Sequence, residues 1–458
     1  MGKETVVVIG SGGAESALVD KYSRSEEVGH IIAIPGNDTM QDLTHKPVTT
    51  YQDLKPDQTV EIALLVSDLN EQSPIAFVDI RDESAIASGL SNQLALHKVA
   101  VVSPSQKAGQ IESDKYFARV FGEYINFPQP KYQVLDFTNL PYGKKFPDYY
   151  DRVIEKVSDG LKFVKASGLA QGKGVIGANG REEIEQAVEQ LRRNFPQASG
   201  KILIEDGMVG EEFSGFAMSN GKSYKVIGYA QDHKRAYDGD KGPNTGGMGA
   251  VSRPLIIEND DWLQITVNKE IFGRTFEGMK ESGIPYKGVL FLGGMAVEKL
   301  GVNVPHVVEF NSRWGDPEAQ VLLPGIENDL FEMNSRIIRG NFRDYEVRTD
   351  NKVRVAVAGA SKGYPEDYSH VTGKEIKGLD AVGDMDGVLL YGAGVVRLDG
   401  KYYANGGRLF YVVGEGDDVI EARGRVYEAM NYISIDGDNL HFRTDIGWRD
   451  VERLQARA

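Results

Sequence analysis

A chain of 458 residues with 41% apolar content is too long for a single hydrophobic core, and at roughly 150 residues per domain it divides into two to four. Its formal net charge of -15 excludes bulk electrostatic binding to nucleic acid or anionic membrane, and its 0 cysteines exclude disulfides, thiol nucleophiles and thiolate metal sites. Small anionic ligands held in focused basic pockets remain open.

The chain starts Met1-Gly-Lys-Glu-Thr and runs at once into Val6-Val-Val-Ile9, with no basic region ahead of a long apolar stretch and no small-residue cleavage site. A secretory signal is therefore not expected, Val6 breaks the myristoylation pattern, and no apolar run reaches bilayer length, so the expected compartment is the cytoplasm. Thr5–Ile9, Ile31–Ile34, Ile62–Val66, Ile75–Ile80 and Val99–Val102 predict strands, and the amphipathic stretches between them predict βαβ units with a parallel sheet. Gly10-Ser-Gly-Gly-Ala-Glu15 falls where the first strand turns into a helix. Its amides either face an anion or simply make a tight turn. The dinucleotide fingerprint fails there, because Glu15 stands for the third glycine and the second strand runs into Pro35-Gly-Asn37 where a ribose-binding acid would be.

From about Tyr132 the pattern changes to strands joined by glycine-rich turns, including Gly160–Lys165 and Lys201–Glu205, which predicts an α+β region with a mobile flap. The segment Lys165-Ala-Ser-Gly-Leu-Ala-Gln-Gly172-Lys173-Gly174 lacks the Gly-Lys-Ser/Thr order of a Walker A loop. It reads as a lysine-bearing flap over nucleotide phosphates or as a hairpin with exposed lysines. Glu205 closes one strand and Glu211-Glu212 open the next. In Asp232-His-Lys234-Arg and Asp238-Gly-Asp-Lys-Gly-Pro-Asn244-Thr245-Gly246-Gly247-Met-Gly249, cations, acids and glycines crowd together as in a ligand-binding loop.

The run Val307-Val-Glu309-Phe-Asn311-Ser-Arg313-Trp-Gly-Asp316-Pro-Glu318 ends an apolar strand in polar chemistry. Glu309 and Asn311 are two apart, so on an extended backbone they share a face, and two hard oxygen ligands there suit magnesium against a polyphosphate. A polar, basic stretch from Arg336 to Lys352 precedes the strand Val353–Ala358, placing a boundary near 345, and Asp418–Tyr432 predicts a helix.

These motifs, with Pro35-Gly-Asn37, Gly406-Gly-Arg408 and Phe442-Arg-Thr-Asp-Ile-Gly-Trp-Arg449, resemble the glycinamide ribonucleotide synthetase family of the ATP-grasp superfamily over essentially the whole chain. The resemblance implies an α/β and α+β ATP-grasp fold. An N-terminal Rossmann-like (preATP-grasp) parallel-sheet domain would span 1–112, an ATP-grasp domain 113–344 with a mobile lid at about 133–203, and a small strand-rich C-terminal domain 345–458. It implies ligation of glycine to 5-phosphoribosylamine with ATP through glycyl phosphate, giving glycinamide ribonucleotide, ADP and phosphate in de novo purine biosynthesis. Partners would be these small molecules, with no nucleic acid or membrane, in a monomer or homodimer.

Carried over by position, Glu309 and Asn311 match ligands of Mg2+ or Mn2+. Lys115, Lys165, Gly172, Lys173, Glu205 and Glu212 join Asn311 on ATP. Asp232, Lys234, Arg313 and Asp316 match catalytic positions. Gly12, Gly13, Glu83, Asn244, Thr245, Gly246 and Gly247 join Arg313 and Asp316 on substrate. The family usually reads Gly-Gly-Arg-Glu-His where this chain has Gly12-Gly-Ala-Glu-Ser16, and Gly-Pro-Glu-x-Pro-Leu where it has Arg81-Asp-Glu83-Ser-Ala-Ile86. Ser167 replaces an aspartate and Trp314 a smaller aromatic. Either Arg81 or another basic residue compensates, or the chain is a paralogue using a different amine. A third reading, an inactive nucleotide-binding paralogue, is opposed by the retained Glu309, Asn311, Lys165 and Arg313.

Overall fold

The computed structural model describes residues 3–42, 44–139, 150–157, 160–170 and 172–457. Met1 and Gly2 of the leader reading, and parts of the 133–203 lid, including Gln171 in its glycine-rich turn, lie outside them.

Strands β1 (Glu4–Gly10), β2 (Val28–Pro35), β3 (Val48–Thr50), β4 (Ile75–Ile80) and β5 (Val101–Val102) form a parallel sheet in the order β3-β2-β1-β4-β5. Val6 to Ile9 are fully buried because helices cover both faces of such a sheet. The strand order reverses beside β1, so the Gly10–Gly13 turn stands at the switch point where ligands bind in sheets of this kind. Ile62–Val66, expected as a strand, belongs instead to the helix Thr59–Gln72. Thr59, Ile62, Ala63 and Val66 are its buried positions, a spacing of three and four residues that makes a helical stripe. The short apolar run concealed that period.

A second sheet, antiparallel, joins β6 (Tyr132–Asp136), β7 (Leu161–Ala166), β8 (Val175–Asn179) and β9 (Lys201–Asp206) in the order β6-β9-β7-β8. The helix Gly180–Asn194 covers it with Ile184, Ala187, Val188 and Leu191.

The largest sheet is antiparallel throughout its main path. It contains β10 (Glu211–Asn220), β11 (Tyr224–Asp232), β14 (Gly249–Ser252), β15 (Lys287–Lys299), β16 (Val302–Asn311) and β17 (Val353–Ser361), while β12 (Arg235–Tyr237) and β13 (Lys241–Asn244) form a separate hairpin off β11. Its order, β16-β15-β10-β11-β14-β17, continues into Arg408–Gly416 and Val388–Gly392. The central and last parts of the chain therefore share one sheet, joined where Gly249 to Val251 pair with Val357 to Val355. The helix Val419–Met430 packs on it, capped by Asp418, whose carboxylate accepts the Ile420 and Glu421 N–H groups. Among the described residues no helix is long and apolar enough to cross a membrane.

Candidate active site

The geometry of the cleft begins with one extra residue in β16. Gly293 of β15 pairs with Glu309 and Gly294 with Val307, so Val308 bulges out of the ladder. The bulge resets the alternation. Val307 and Phe310 are buried, whereas Glu309 and Asn311 share the other, half-buried face. Neither the Glu309 carboxylate nor the Asn311 side-chain amide meets a hydrogen-bond partner among the described residues, so both keep their oxygens for a ligand. Two such donors fit a divalent ion that takes its other oxygens from water and phosphate. Among the described residues, no group of three or more His, Asp or Glu side chains forms a closed metal cage.

In the second sheet, Lys165 on β7 reaches Glu205 on β9 at 2.7 Å. Glu205 is also gripped through both oxygens by Arg119, Nε donating at 2.7 Å and Nη2 at 2.9 Å. Burial pushes the Glu205 carboxyl up, but Lys165 and Arg119 outweigh it and hold it at about 2. Lys115 begins the helix Lys115–Ile125, which Asp114 caps by accepting the Phe117 N–H. Ser167, in the aspartate position, donates its hydroxyl to Asp114 at 2.6 Å and accepts the Tyr116 N–H at 2.9 Å. Ser167 thus ties this turn to the cap of the Lys115–Ile125 helix. Gly172 and Lys173 are exposed, and nothing lies within 4 Å of where a Gly172 Cβ would stand.

A third cluster joins the first sheet to the motif after β16. Arg313 donates to Glu83 at 2.6 Å and pairs with Glu112 at 3.1 Å, while Glu112 accepts the Ser312 N–H at 2.8 Å. Arg313 holds the Glu83 carboxyl low against burial, with Arg81 and Lys115 adding to the effect. Burial pushes Glu112 up to about 6 despite Arg313, and Glu83 adds to the rise. Arg313 is thus braced by two carboxylates, and its headgroup is fixed before any substrate arrives.

Lys234 donates to Glu212 at 2.8 Å and lies 3.9 Å from Asp232. Burial raises Asp232 to about 7; Lys234 opposes the rise, and Glu318, Glu212 and Glu309 reinforce it. Glu318 accepts the Ser214 hydroxyl at 2.9 Å. This acid-rich pocket around one ammonium favours a further cation. His233 faces the other way: burial, then the Arg443 charge, push it down to about 3, and its Nε2 accepts the Gly447 N–H at 3.1 Å. It is a neutral packing residue.

The Thr245–Gly247 turn folds back on Lys234, whose carbonyl accepts the Thr245 N–H at 2.7 Å and hydroxyl at 2.9 Å. Gly247 has φ +110°, and a Cβ there would stand 2.5 Å from Pro317, so this close approach requires glycine. Arg408 donates to the carbonyls of Gly246, Gly247 and Asp316 and reaches the Asp316 carboxylate at 3.4 Å. A Cβ on Gly12 would come within 3.4 Å of Asp316, which brings the first loop to the same corner. Asn244 is exposed at the end of the β12-β13 hairpin.

Inside the first loop, Glu15 accepts the Gly12 N–H at 2.9 Å and pairs with Arg81 at 3.2 Å. Arg81, named above with other basic residues as a possible replacement for the missing family residues, is engaged with Glu15 and with the Trp314 carbonyl at 3.2 Å. Ala14 is fully buried in the core, and Ser16 donates to the Gly392 carbonyl at 2.6 Å. Both altered positions face packing. Trp314 is buried against Phe216 with ring centroids 5.7 Å apart.

The structure thus gathers most of the expected residues into five groups and leaves Gly172 and Lys173 apart. Sequence reasoning assigned no role to Arg119, Glu112, Glu318 or Arg408. Arg119 carried a signal: it lies among Ala118, Phe121 and Gly122 on the buried face of its helix, where a charge needs a partner. Glu318 and Arg408 lay inside quoted motifs without a stated task.

Three family sequence models match consecutive parts of the chain: the N domain of phosphoribosylglycinamide synthetase over residues 4–112, its ATP-grasp (A) domain over 113–319 and its C domain over 354–449. The phosphoribosylamine–glycine ligase of Caulobacter vibrioides is 35% identical over 457 residues, 99% of this chain and 100% of that protein. The trifunctional purine biosynthetic protein adenosine-3 of Bos taurus is 35% identical over 461 residues, 98% of this chain and 42% of that protein. Among solved structures, the phosphoribosylamine–glycine ligase of Thermotoga maritima matches with a TM-score of 0.76 at 26% identity, covering 96% of this chain and 100% of that one. A biotin carboxylase domain from Hydrogenobacter thermophilus, at TM-score 0.70 and 15% identity over 96% of this chain and 91% of that one, shares the fold alone.

Proposed function

This chain belongs to the phosphoribosylglycinamide synthetase family, and we propose that the clusters around β16 form the cleft in which it joins glycine to 5-phosphoribosylamine at the expense of ATP. It is an ATP-dependent carboxylate–amine ligase of ATP-grasp fold acting in purine biosynthesis. A glycine carboxylate oxygen attacks the γ-phosphorus, the bond to the β-phosphate oxygen breaks, and ADP leaves. The amine nitrogen then attacks the carbonyl carbon of glycyl phosphate, the C–O bond to phosphate breaks, and the nitrogen sheds one proton. Positioning and charge neutralisation carry both steps, without a protein nucleophile.

Lys115 and Lys165, at the roots of the lid, supply positive charge to the polyphosphate. Arg313, fixed between Glu83 and Glu112, and Lys234, fixed by Glu212, present oriented cations where phosphoryl and carboxylate oxygens gather. Glu309 and Asn311 would hold Mg2+ or Mn2+, which when bound supplies charge neutralisation to the phosphates. Gly12, Gly13 and the Asn244–Gly247 turn, meeting at Asp316, line the amine side. The division at 112/113 and 344/345, a monomer or homodimer, and a cytoplasmic location belong to the same reading. The observation that carries it is the pair of unengaged oxygen donors set by the Val308 bulge on the strand that Arg119 ties to the Lys165–Glu205 pair.

The test is ADP release with ATP, magnesium and glycine, with and without phosphoribosylamine generated in situ, together with product mass. ADP and glycinamide ribonucleotide appearing only with all substrates supports the assignment; ATP binding without ribosylamine-dependent ADP points to another amine. Glu309→Gln is expected to lower kcat by about a hundredfold or more, since it weakens a hard-cation site. A wild-type rate would show that the ligand pair is misassigned.

A further inference from the structure

Arg119 has no place in the chemistry above, yet it is one of the most constrained side chains in the protein. It is 3% exposed, and its partners Glu205 and Lys165 are 1% and 7% exposed. Two cations share one buried carboxylate. Arg119 occupies both Glu205 oxygens at 2.7 and 2.9 Å, and Lys165 shares Oε2 at 2.7 Å. The remaining Arg119 donors go to the carbonyls of Val307 at 3.3 Å and Val308 at 2.6 Å, the bulge that turns Glu309 outward. Arg119 is thus anchored both to Glu205 on β9 and to the bulge of β16, whereas among the described residues Lys165 forms an ion pair with Glu205 alone.

The asymmetry decides which cation can leave. A lysine that departs from a carboxylate held by it alone strands a buried bare charge, and breaking such a pair is strongly unfavourable. Here the carboxylate stays paired at both oxygens after the lysine moves. We propose that Arg119 is a positioning residue for nucleotide binding: it serves Glu205 as a standing counter-charge, so that Lys165 can exchange the carboxylate for a polyphosphate oxygen when nucleotide enters. The same guanidinium ties the root of the lid to the strand carrying Glu309 and Asn311. The proposal rests on the reading that Lys165 meets nucleotide phosphate.

Calorimetric titration of the intact protein with ADP, with and without magnesium, separates the two. Lys165→Met is expected to weaken ADP binding, and unchanged affinity would overturn the reading of Lys165 and the proposal with it. With that loss in hand, Arg119→Met is expected to weaken ADP about tenfold, Arg119→Lys to stay within about threefold of wild type, and Arg119→Met with Glu205→Gln to recover most of the loss. Rescue by lysine separates counter-charge from packing. Wild-type affinity in Arg119→Met, equal losses in Arg119→Met and Arg119→Lys, or failure of Glu205→Gln to restore binding would each overturn the proposal. Should Arg119→Met not fold, Arg119→Gln, which keeps a donor for the Val307 and Val308 carbonyls and removes the charge, carries the contrast: about a tenfold loss of ADP affinity is expected, and wild-type affinity overturns the proposal.

Discussion

Asp79 shows how a residue outside the cleft sets the conditions under which the protein is stable. It sits on β4, 4% exposed, accepting the Tyr22 hydroxyl at 2.5 Å, with the Asn334 amide 3.4 Å away. Burial raises its pKa to about 6, against the hydrogen bonds from Tyr22 and Asn334 that favour the anion. A carboxyl whose folded pKa lies above its unfolded one holds a proton that the unfolded chain has already lost. Its contribution is therefore most favourable below about pH 4 and is lost as pH rises through about 6. Asp79→Asn, which keeps an acceptor for Tyr22 and carries no charge, is expected to stabilise the protein at pH 7 by up to about 3 kcal/mol and to change little at pH 4. Melting temperatures of both proteins at the two pH values check this; a gap independent of pH would refute the assignment.

Among the elements, the lid and β16 teach different lessons about what a sequence displays. The strand-turn-strand pattern around Lys165 and the common face of Glu309 and Asn311 were legible because alternation and glycine punctuation are local signals. Ile62–Val66 was misread because five apolar residues are too few to distinguish period two from period 3.6. The Val308 bulge left no signal, since it is defined by what the partner strand does, and partner strands are chosen by tertiary packing. The Arg119 pair with Glu205 spans 86 positions and was equally out of reach, though a charge at a buried helical position announced that a partner must exist. In the lid, Gly172 adopts φ +75°, which a β-branched residue tolerates poorly. Gly172→Val is expected to lower kcat/KM for ATP about tenfold while shifting the melting temperature little, because the site is open. Unchanged steady-state kinetics would reduce the segment to an exposed hairpin.

At the scale of the molecule, Arg408 makes the last part of the chain a participant in the cleft. It reaches from the strand Arg408–Gly416 to the Gly246 and Gly247 carbonyls and to Asp316, so the amine-side corner is assembled from distant parts of the sequence. Arg408→Ala is expected to raise KM for the amine substrate about tenfold, leaving KM for ATP near wild type, because Lys165 and Glu309 lie in other clusters. Initial-rate kinetics varying each substrate in turn would check it, and a parallel rise in both constants would indicate global loosening. The family resemblance placed Gly246, Gly247 and Asp316 in one region; that an arginine from beyond position 345 holds them there is a property of the assembled sheet.

That sheet has a consequence for how the chain can be divided. A cut near 345 would separate β14 from β17 and leave on each fragment a row of unpaired backbone N–H and C=O groups from the ladder between Gly249–Val251 and Val355–Val357. Such open edges are templates for association. Co-expressed halves are thus poised for complementation, each supplying the other's missing neighbour, whereas either half alone presents an adhesive rim. A reporter or partner domain is better attached at an end of the chain than inserted at the boundary the sequence suggests.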